Sequence, residues 1–157
     1  MENMEAVLDR MGVIEVVNNV GFYADMHEWH KLRQCYADEL ELDYTSLVGG
    51  EPARLRADDL IAAWMSSLTQ YQATQHMVTN HRVEISGTRA TCIAYVQASH
   101  WLPNDSGNPM WEVNGYYRYT LVRDGSSWKI TRHIFNARMV TGSRQILDRA
   151  GVRTDRW

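Results

Sequence analysis

The chain has few of the residues that staple or punctuate a fold. Its 157 residues include two cysteines, Cys35 and Cys92, and three prolines. Two cysteines allow at most one bridge, form no disulfide framework and lack zinc-type spacing, as suits a reducing compartment. Neither sign of charge dominates. A formal net charge of −3 supplies no basic field, so nucleic acid is not expected as a partner. No run is apolar enough to span a bilayer, so no membrane association is expected. The first ten residues mix acids with apolar side chains and lack a basic start and an apolar h-region, so a cytoplasmic location is expected. Without a secretory signal, the glycosylation-like triplet Asn104-Asp105-Ser106 is read as chance. P-loop, dinucleotide-glycine and zinc-hydrolase signatures do not occur. Phenylalanine is scarce too: two, against six Trp and eight Tyr. Trp and Tyr join apolar area to a polar tip, which suits a core with an oligomer interface or the lining of a cavity for a ring-shaped ligand.

What is present is a run of helices followed by a run of strands, in one domain over residues 1–157. Within 4–23, Val7, Leu8, Met11, Ile14, Val17 and Val20 recur at helical spacing, and Gly21 marks a bend or stop. Asp25 and Glu28 have capping-box spacing, which predicts a second helix starting at Asp25 with an apolar stripe of Trp29, Leu32 and Tyr36. Residues 39–44 alternate strictly, so Leu40, Leu42 and Tyr44 share an inward face. A loop follows at 49–52. A third helix starts at Asp58 or Asp59 and packs through Leu60, Ile61, Trp64 and Leu68. Strands are expected at 76–85, 88–101, 111–122 and 128–140, with tight turns at Ser86-Gly87 and at 124–127. A short helix is expected at 143–149. Helices first and hairpin-linked strands last indicate an α+β fold. Its curved, mainly antiparallel sheet would wrap the helices and leave a pocket between the layers.

Several polar side chains stand out. Asp25 reads as an N-cap or as a functional carboxylate. His76 opens the first long strand, on a face shared with Thr74, Val78 and Asn80. His27 and His30 lie one turn apart, but the helical wheel turns them away from the Trp29–Leu32 stripe, so no metal site is expected. Trp64 and Tyr117 read as core or pocket. Asn136 and Arg138 share a strand face with Ile130, Ile134 and Val140. A polar residue among apolar ones needs a partner, structural or ligand.

Three segments carry a family resemblance. The first is Asp25, Trp29 and Leu32 followed by a strand ending in Leu42-Asp43-Tyr44. The second is Thr74-Gln75-His76 with Asn80, Gly87 and Ala90. The third is Gly115-Tyr116-Tyr117 through Leu121-Val122-Arg123, Asp124-Gly125 and Trp128-Lys129-Ile130. In order and spacing they resemble the scytalone dehydratase and SnoaL-like polyketide cyclase branch of the nuclear-transport-factor-2-like superfamily, over about 14–141. The resemblance implies a cone-shaped curved sheet around N-terminal helices and a His–Asp base acting without cofactor or metal. It implies catalytic roles for His76, Asp25 and Tyr44 and a pocket position for Asn136. Tyr23, one position from the family's tyrosine, and Trp64, Tyr117 and Arg138, read from the residues alone, are further candidate substrate contacts. The chain departs from the branch at Ala24, where a tyrosine adjoins the Asp. Tyr116-Tyr117-Arg118 occupies the segment that carries a second active-site histidine in scytalone dehydratase.

The expected activity is a lyase of dehydratase type on a small hydrophobic cyclic or aromatic molecule. Isomerisation or cyclisation would use the same proton abstraction. The fold also serves as a non-catalytic ligand-binding or assembly module, such as the small subunit of ring-hydroxylating dioxygenases. A homo-oligomer, dimer or trimer, is expected in either case.

Overall fold

A computed structural model of the chain describes residues 4–105 and 107–142; the helix expected at 143–149 lies outside them. The elements are α1 (Met4–Asp25), α2 (Trp29–Gln34), β1 (Tyr36–Asp43), α3 (Thr45–Val48), β2 (Ala53–Arg56), α4 (Ala57–Leu68), β3 (Ala73–Ser86), β4 (Arg89–Trp101), β5 (Met110–Asp124) and β6 (Ser127–Thr141). One six-stranded sheet runs in the order β2-β1-β6-β5-β4-β3. Only the β1–β6 pair is parallel. The fold is α+β, a mixed sheet wrapped around the N-terminal helices. Among the described residues no helix is long and apolar enough to cross a membrane.

The inner face of the sheet is legible strand by strand. On β4, Cys92, Ala94, Val96 and Ala98 are buried in strict alternation, and on β5 so are Trp111, Val113, Tyr117, Tyr119 and Leu121. The small β4 residues leave room for the helices that cover this face. Val13, Val17, Val20 and Ala24 of α1 and Leu60, Ile61 and Trp64 of α4 close the layer. Both cysteines are free and buried.

Three irregularities in the antiparallel pairs shift the alternation. Between Thr79 and Arg82 of β3 the register slips, at Asn80, whose φ is 58°. On β6 the register advances two residues against one of β5 at Thr131 and again at Arg138. A bulge moves the side chains beyond it to the opposite face. Trp128 and Ile130 therefore share the inner face with His133 and Phe135, all buried, instead of with Ile134 and Asn136.

The helical segment differs from the sequence expectation in four respects. α1 passes through Gly21 without a break and ends at Asp25. α2 starts only at Trp29, with Glu28 as its N-cap residue and no side-chain cap bond. Asp25 is thus a helix's last residue and caps nothing. Its carboxylate is held from outside the helix, as described below. Tyr36 is the first residue of β1, not part of a helical stripe, and is 1% exposed. On α1, Leu8 and Met11 are exposed, and the buried face is Val13, Val17, Val20, Gly21 and Ala24.

Candidate active site

Gly21 brings α1 and β3 together. A Cβ at this position would lie 2.7 Å from the Cβ of His76, so only glycine allows this approach. One turn later Asp25 meets three donors on β3. Its Oδ2 accepts the His76 backbone N–H at 2.7 Å. Its Oδ1 accepts the Thr74 hydroxyl at 2.8 Å and His76 Nδ1–H at 2.7 Å. The side chains are 7% and 13% exposed for Asp25 and His76. Burial alone would raise the Asp25 pKa. The His76 side-chain bond, the His76 charge, the backbone N–H and the Thr74 hydroxyl together outweigh it, so the carboxyl titrates below its ordinary value. A carboxylate fixed in this way holds the imidazole by Nδ1–H and leaves Nε2 with its lone pair.

His76 borders a cavity of about 270 Å³ between the sheet and helices α1 and α4. Tyr44, Trp64, Tyr117 and Phe135 line it, as do the aliphatic Leu42, Leu47, Leu68 and Val113. Of the residues singled out from sequence, His76, Tyr44, Trp64 and Tyr117 meet here, with Asp25 directly behind His76. Tyr23, Asn136 and Arg138 do not line the cavity. Val20, Gly21 and Ala24 form the face of α1 that does, and the Tyr23 ring instead lies beneath the Lys31 ammonium. Asn136 follows Phe135, so the bulge at Thr131 turns it to the outer face, where its Nδ2 is buried without a hydrogen-bond partner. Arg138 is the extra residue of the second bulge and is exposed. His27 and His30 are also exposed, and no group of three or more metal-ligating side chains occurs among the described residues.

Tyr44 is placed by a short clasp after β1. Asp43 Oδ1 accepts the Thr45 backbone N–H at 3.0 Å and the Thr45 hydroxyl at 2.7 Å, which turns the chain into α3. The Ser46 hydroxyl donates to the Phe135 carbonyl at 2.6 Å and accepts the Ala137 N–H at 2.9 Å. It thereby continues the β1–β6 pairing past the end of the strand. The Tyr44 ring then packs on Trp64, His133 and Phe135. Burial, then the neighbouring Tyr117 and Tyr119, keep its phenol far above the ordinary tyrosine range, so at neutral pH it is a hydrogen-bond donor and not a phenolate.

Two histidines enter the site that the sequence reading did not select. His100 lines the cavity, its ring 5.9 Å from that of His76, and its Nδ1–H donates to the Trp111 carbonyl at 3.2 Å. The unbroken alternation from Cys92 through Ala98 carries on to His100, so its inward direction was readable. His133 lies behind Tyr44, fully buried. Its Nδ1 is 3.0 Å from the Tyr36 hydroxyl and its Nε2 3.3 Å from the Tyr44 hydroxyl. Only the bulge at Thr131 brings it inside.

The comparisons agree with this architecture. The model of the SnoaL-like domain family matches residues 5–133, and the chain belongs to that family, within the nuclear-transport-factor-2-like superfamily. The chain is similar to the Kfla4162 protein of Kribbella flavida, at 33% identity and a TM-score of 0.83 over 87% of this chain and 95% of that one. At the level of fold it is similar to a putative scytalone dehydratase of Novosphingobium aromaticivorans (19% identity, TM-score 0.72, 86% and 87% covered). A type 3 hexachlorocyclohexane dehydrochlorinase of Novosphingobium barchaimii is similar in the same sense (17%, 0.69, 86% and 90%). No curated protein matches the chain significantly.

Proposed function

We propose that this protein is a cofactor-independent lyase of the dehydratase type. In this reading His76 Nε2 removes a proton from carbon next to a carbonyl. Asp25 holds the tautomer and stabilises the imidazolium that forms. Tyr44 donates a hydrogen bond to the developing enolate oxygen, and loss of a leaving group completes the elimination. The observation that carries the proposal is the Nδ1–H to Asp25 bond of 2.7 Å at the wall of an apolar cavity. An oriented imidazole there needs no metal to abstract a proton. The elimination chemistry named for the similar scytalone dehydratase and dehydrochlorinase folds fits the same first step.

The lining also bears on the substrate class. Among the described residues no lysine or arginine borders the cavity, and its carboxylate, Glu51, is exposed. An anionic substrate would have no counter-charge from these residues, which favours a neutral ring compound as substrate. The cavity, just below the roughly 300–1,000 Å³ of common ligand pockets, suits a small one.

The test needs no knowledge of the leaving group. Cyclic ketones such as indanone and tetralone, incubated with the protein in deuterated water, should exchange their α-protons faster than in buffer. His76→Ala should slow that exchange by about 10²–10⁴-fold. Exchange that survives in His76→Ala at the wild-type rate would sink the mechanism. Ketone binding without any exchange would favour the binding-module reading.

A further inference from the structure

His133 has two hydrogen-bond contacts and almost no freedom. The rings of Trp64, Tyr117 and Tyr119 pack around its imidazole at centroid distances of 5.8, 4.7 and 4.4 Å. They close it off from solvent and leave the Tyr36 and Tyr44 hydroxyls as its hydrogen-bond partners among the described residues. Burial, with a smaller effect from the His76 charge, pushes its pKa down to about 3, so at neutral pH it carries a single ring proton. A neutral imidazole has one donor and one acceptor nitrogen, and two assignments are open.

Tyr36 decides between them. Its hydroxyl is fully buried, and His133 Nδ1 is its hydrogen-bond partner among the described residues. Were the ring proton on Nδ1, the Tyr36 proton would have no acceptor in a site closed to water. With the proton on Nε2, both groups are satisfied. Tyr36 O–H donates to Nδ1, and Nε2–H donates to the Tyr44 oxygen. Tyr44 then cannot direct its own proton at His133. That proton is left to the cavity side, which Tyr44 lines.

We infer that Tyr36 and His133 are positioning residues that set the direction of the Tyr44 hydroxyl, holding its proton toward the cavity while Nε2–H supports its oxygen from behind. The arrangement rests on the reading of Tyr44 as the group that meets a substrate oxygen. An incoming carbonyl meets a donor already pointed at it, and no hydroxyl rotation is needed. Accepting a bond from Nε2–H also makes the Tyr44 O–H a stronger donor, because hydrogen bonds in a chain polarise one another.

The test is the tautomer itself. In 15N-labelled protein at neutral pH, two-bond proton–nitrogen correlations of the imidazoles should show His133 with a protonated Nε2 and an unprotonated Nδ1. Its peaks are assigned by their loss in His133→Gln. In Tyr36→Phe, which keeps the ring and removes only the hydroxyl, Nδ1 loses the O–H that it accepts while Nε2–H keeps Tyr44 as acceptor. The Nδ1 signal of His133 should then move to the higher shift of an imine nitrogen that accepts no hydrogen bond, with Nε2 still protonated, while His76 keeps its Nδ1–H pattern. Protonation of Nδ1 or of both nitrogens in the wild-type protein would overturn the inference, and so would an Nδ1 shift unchanged in Tyr36→Phe. The measurement uses neither substrate nor turnover. Its failure is therefore distinct from failure of the lyase reading, which the ketone exchange decides.

Discussion

At the scale of single residues, the decisive fact is that Asp25 accepts three hydrogen bonds and caps no helix. The capping-box spacing of Asp25 and Glu28 is real in sequence, but three residues between α1 and α2 separate it from any helix start. This changes what Asp25→Asn should do. An N-cap tolerates asparagine, whereas this carboxylate faces only donors: two N–H groups of His76 and the Thr74 hydroxyl. An amide replaces one acceptor by an NH2 that must confront one of them. Leaving a buried donor unsatisfied costs about 1–3 kcal/mol. Asp25→Asn should therefore lower the unfolding free energy measurably, in addition to slowing ketone exchange. Denaturant titration that shows wild-type stability would mean that the donors find other partners. Tyr44→Phe should behave differently. It removes the proposed oxyanion donor, so exchange should fall by about 10²–10³-fold with binding of the ketone retained. Exchange and binding are read in the same NMR titration.

At the scale of elements, the approach of α1 to β3 carries the site, and Gly21 permits it. Gly21→Ala places a Cβ 2.7 Å from the His76 Cβ, and that atom sits at the base of its side chain and cannot swing aside. The helix must shift, at a cost of about 1–3 kcal/mol, and Asp25 moves with it. The expected outcome is a lower melting temperature together with exchange reduced toward the His76→Ala level. An alanine variant that keeps full exchange would show that the helix reseats without disturbing the pair. The glycine was legible in sequence, but only as a weak point in a helix. Its purpose lies in a contact 55 residues away along the chain, which no local pattern reports. The four long strands were legible almost to their ends, because alternation and turn chemistry are local, whereas the four-residue β2 was not expected and β1 starts three residues early, at Tyr36. Their faces were legible only where alternation is unbroken. On β4 the buried alternation runs unbroken to His100, a direction the sequence holds but that was not drawn from it. On β6, Thr131 shifts the count, so Asn136 and Arg138 were placed on the wrong face and His133 was passed over. The two adjacent apolar residues Ile134 and Phe135 were the trace of that shift. On β3 the mixed character of both faces was the trace of the slip at Asn80. Asp25 and His76 were found through the family resemblance, since nothing in their local patterns joins them.

At the scale of the whole molecule, the site leaves a signature in acid stability. His133 is fully buried, and burial lowers its pKa from 6.5 to about 3. In the unfolded chain it takes up a proton near its ordinary value, so between these two limits the unfolded state binds more protons than the folded one. Stability then rises with pH through this window and is lost as pH falls, by at most about 1.4 kcal/mol per pH unit for one group. His81 is lowered by burial as well and adds to the loss with the same sign. Asp25, also lowered, contributes stability that is complete above 3.8 and disappears as pH falls through its folded value. Its effect therefore begins where most of the histidine effect has already been spent. Urea unfolding measured at intervals from pH 7.5 to pH 4, near the 6.5 and 3.8 reference values, should show a steady decline below neutrality, steeper than carboxylates alone would give. In His133→Gln the glutamine can still bridge the two tyrosine hydroxyls but has no proton to gain. Its profile should be flatter over that range by up to one proton's slope and should converge with the wild-type line toward the acid end. A wild-type slope unchanged in His133→Gln would mean that the imidazole is protonated within the fold. The neutral, two-sided histidine that orients Tyr44 would then be untenable.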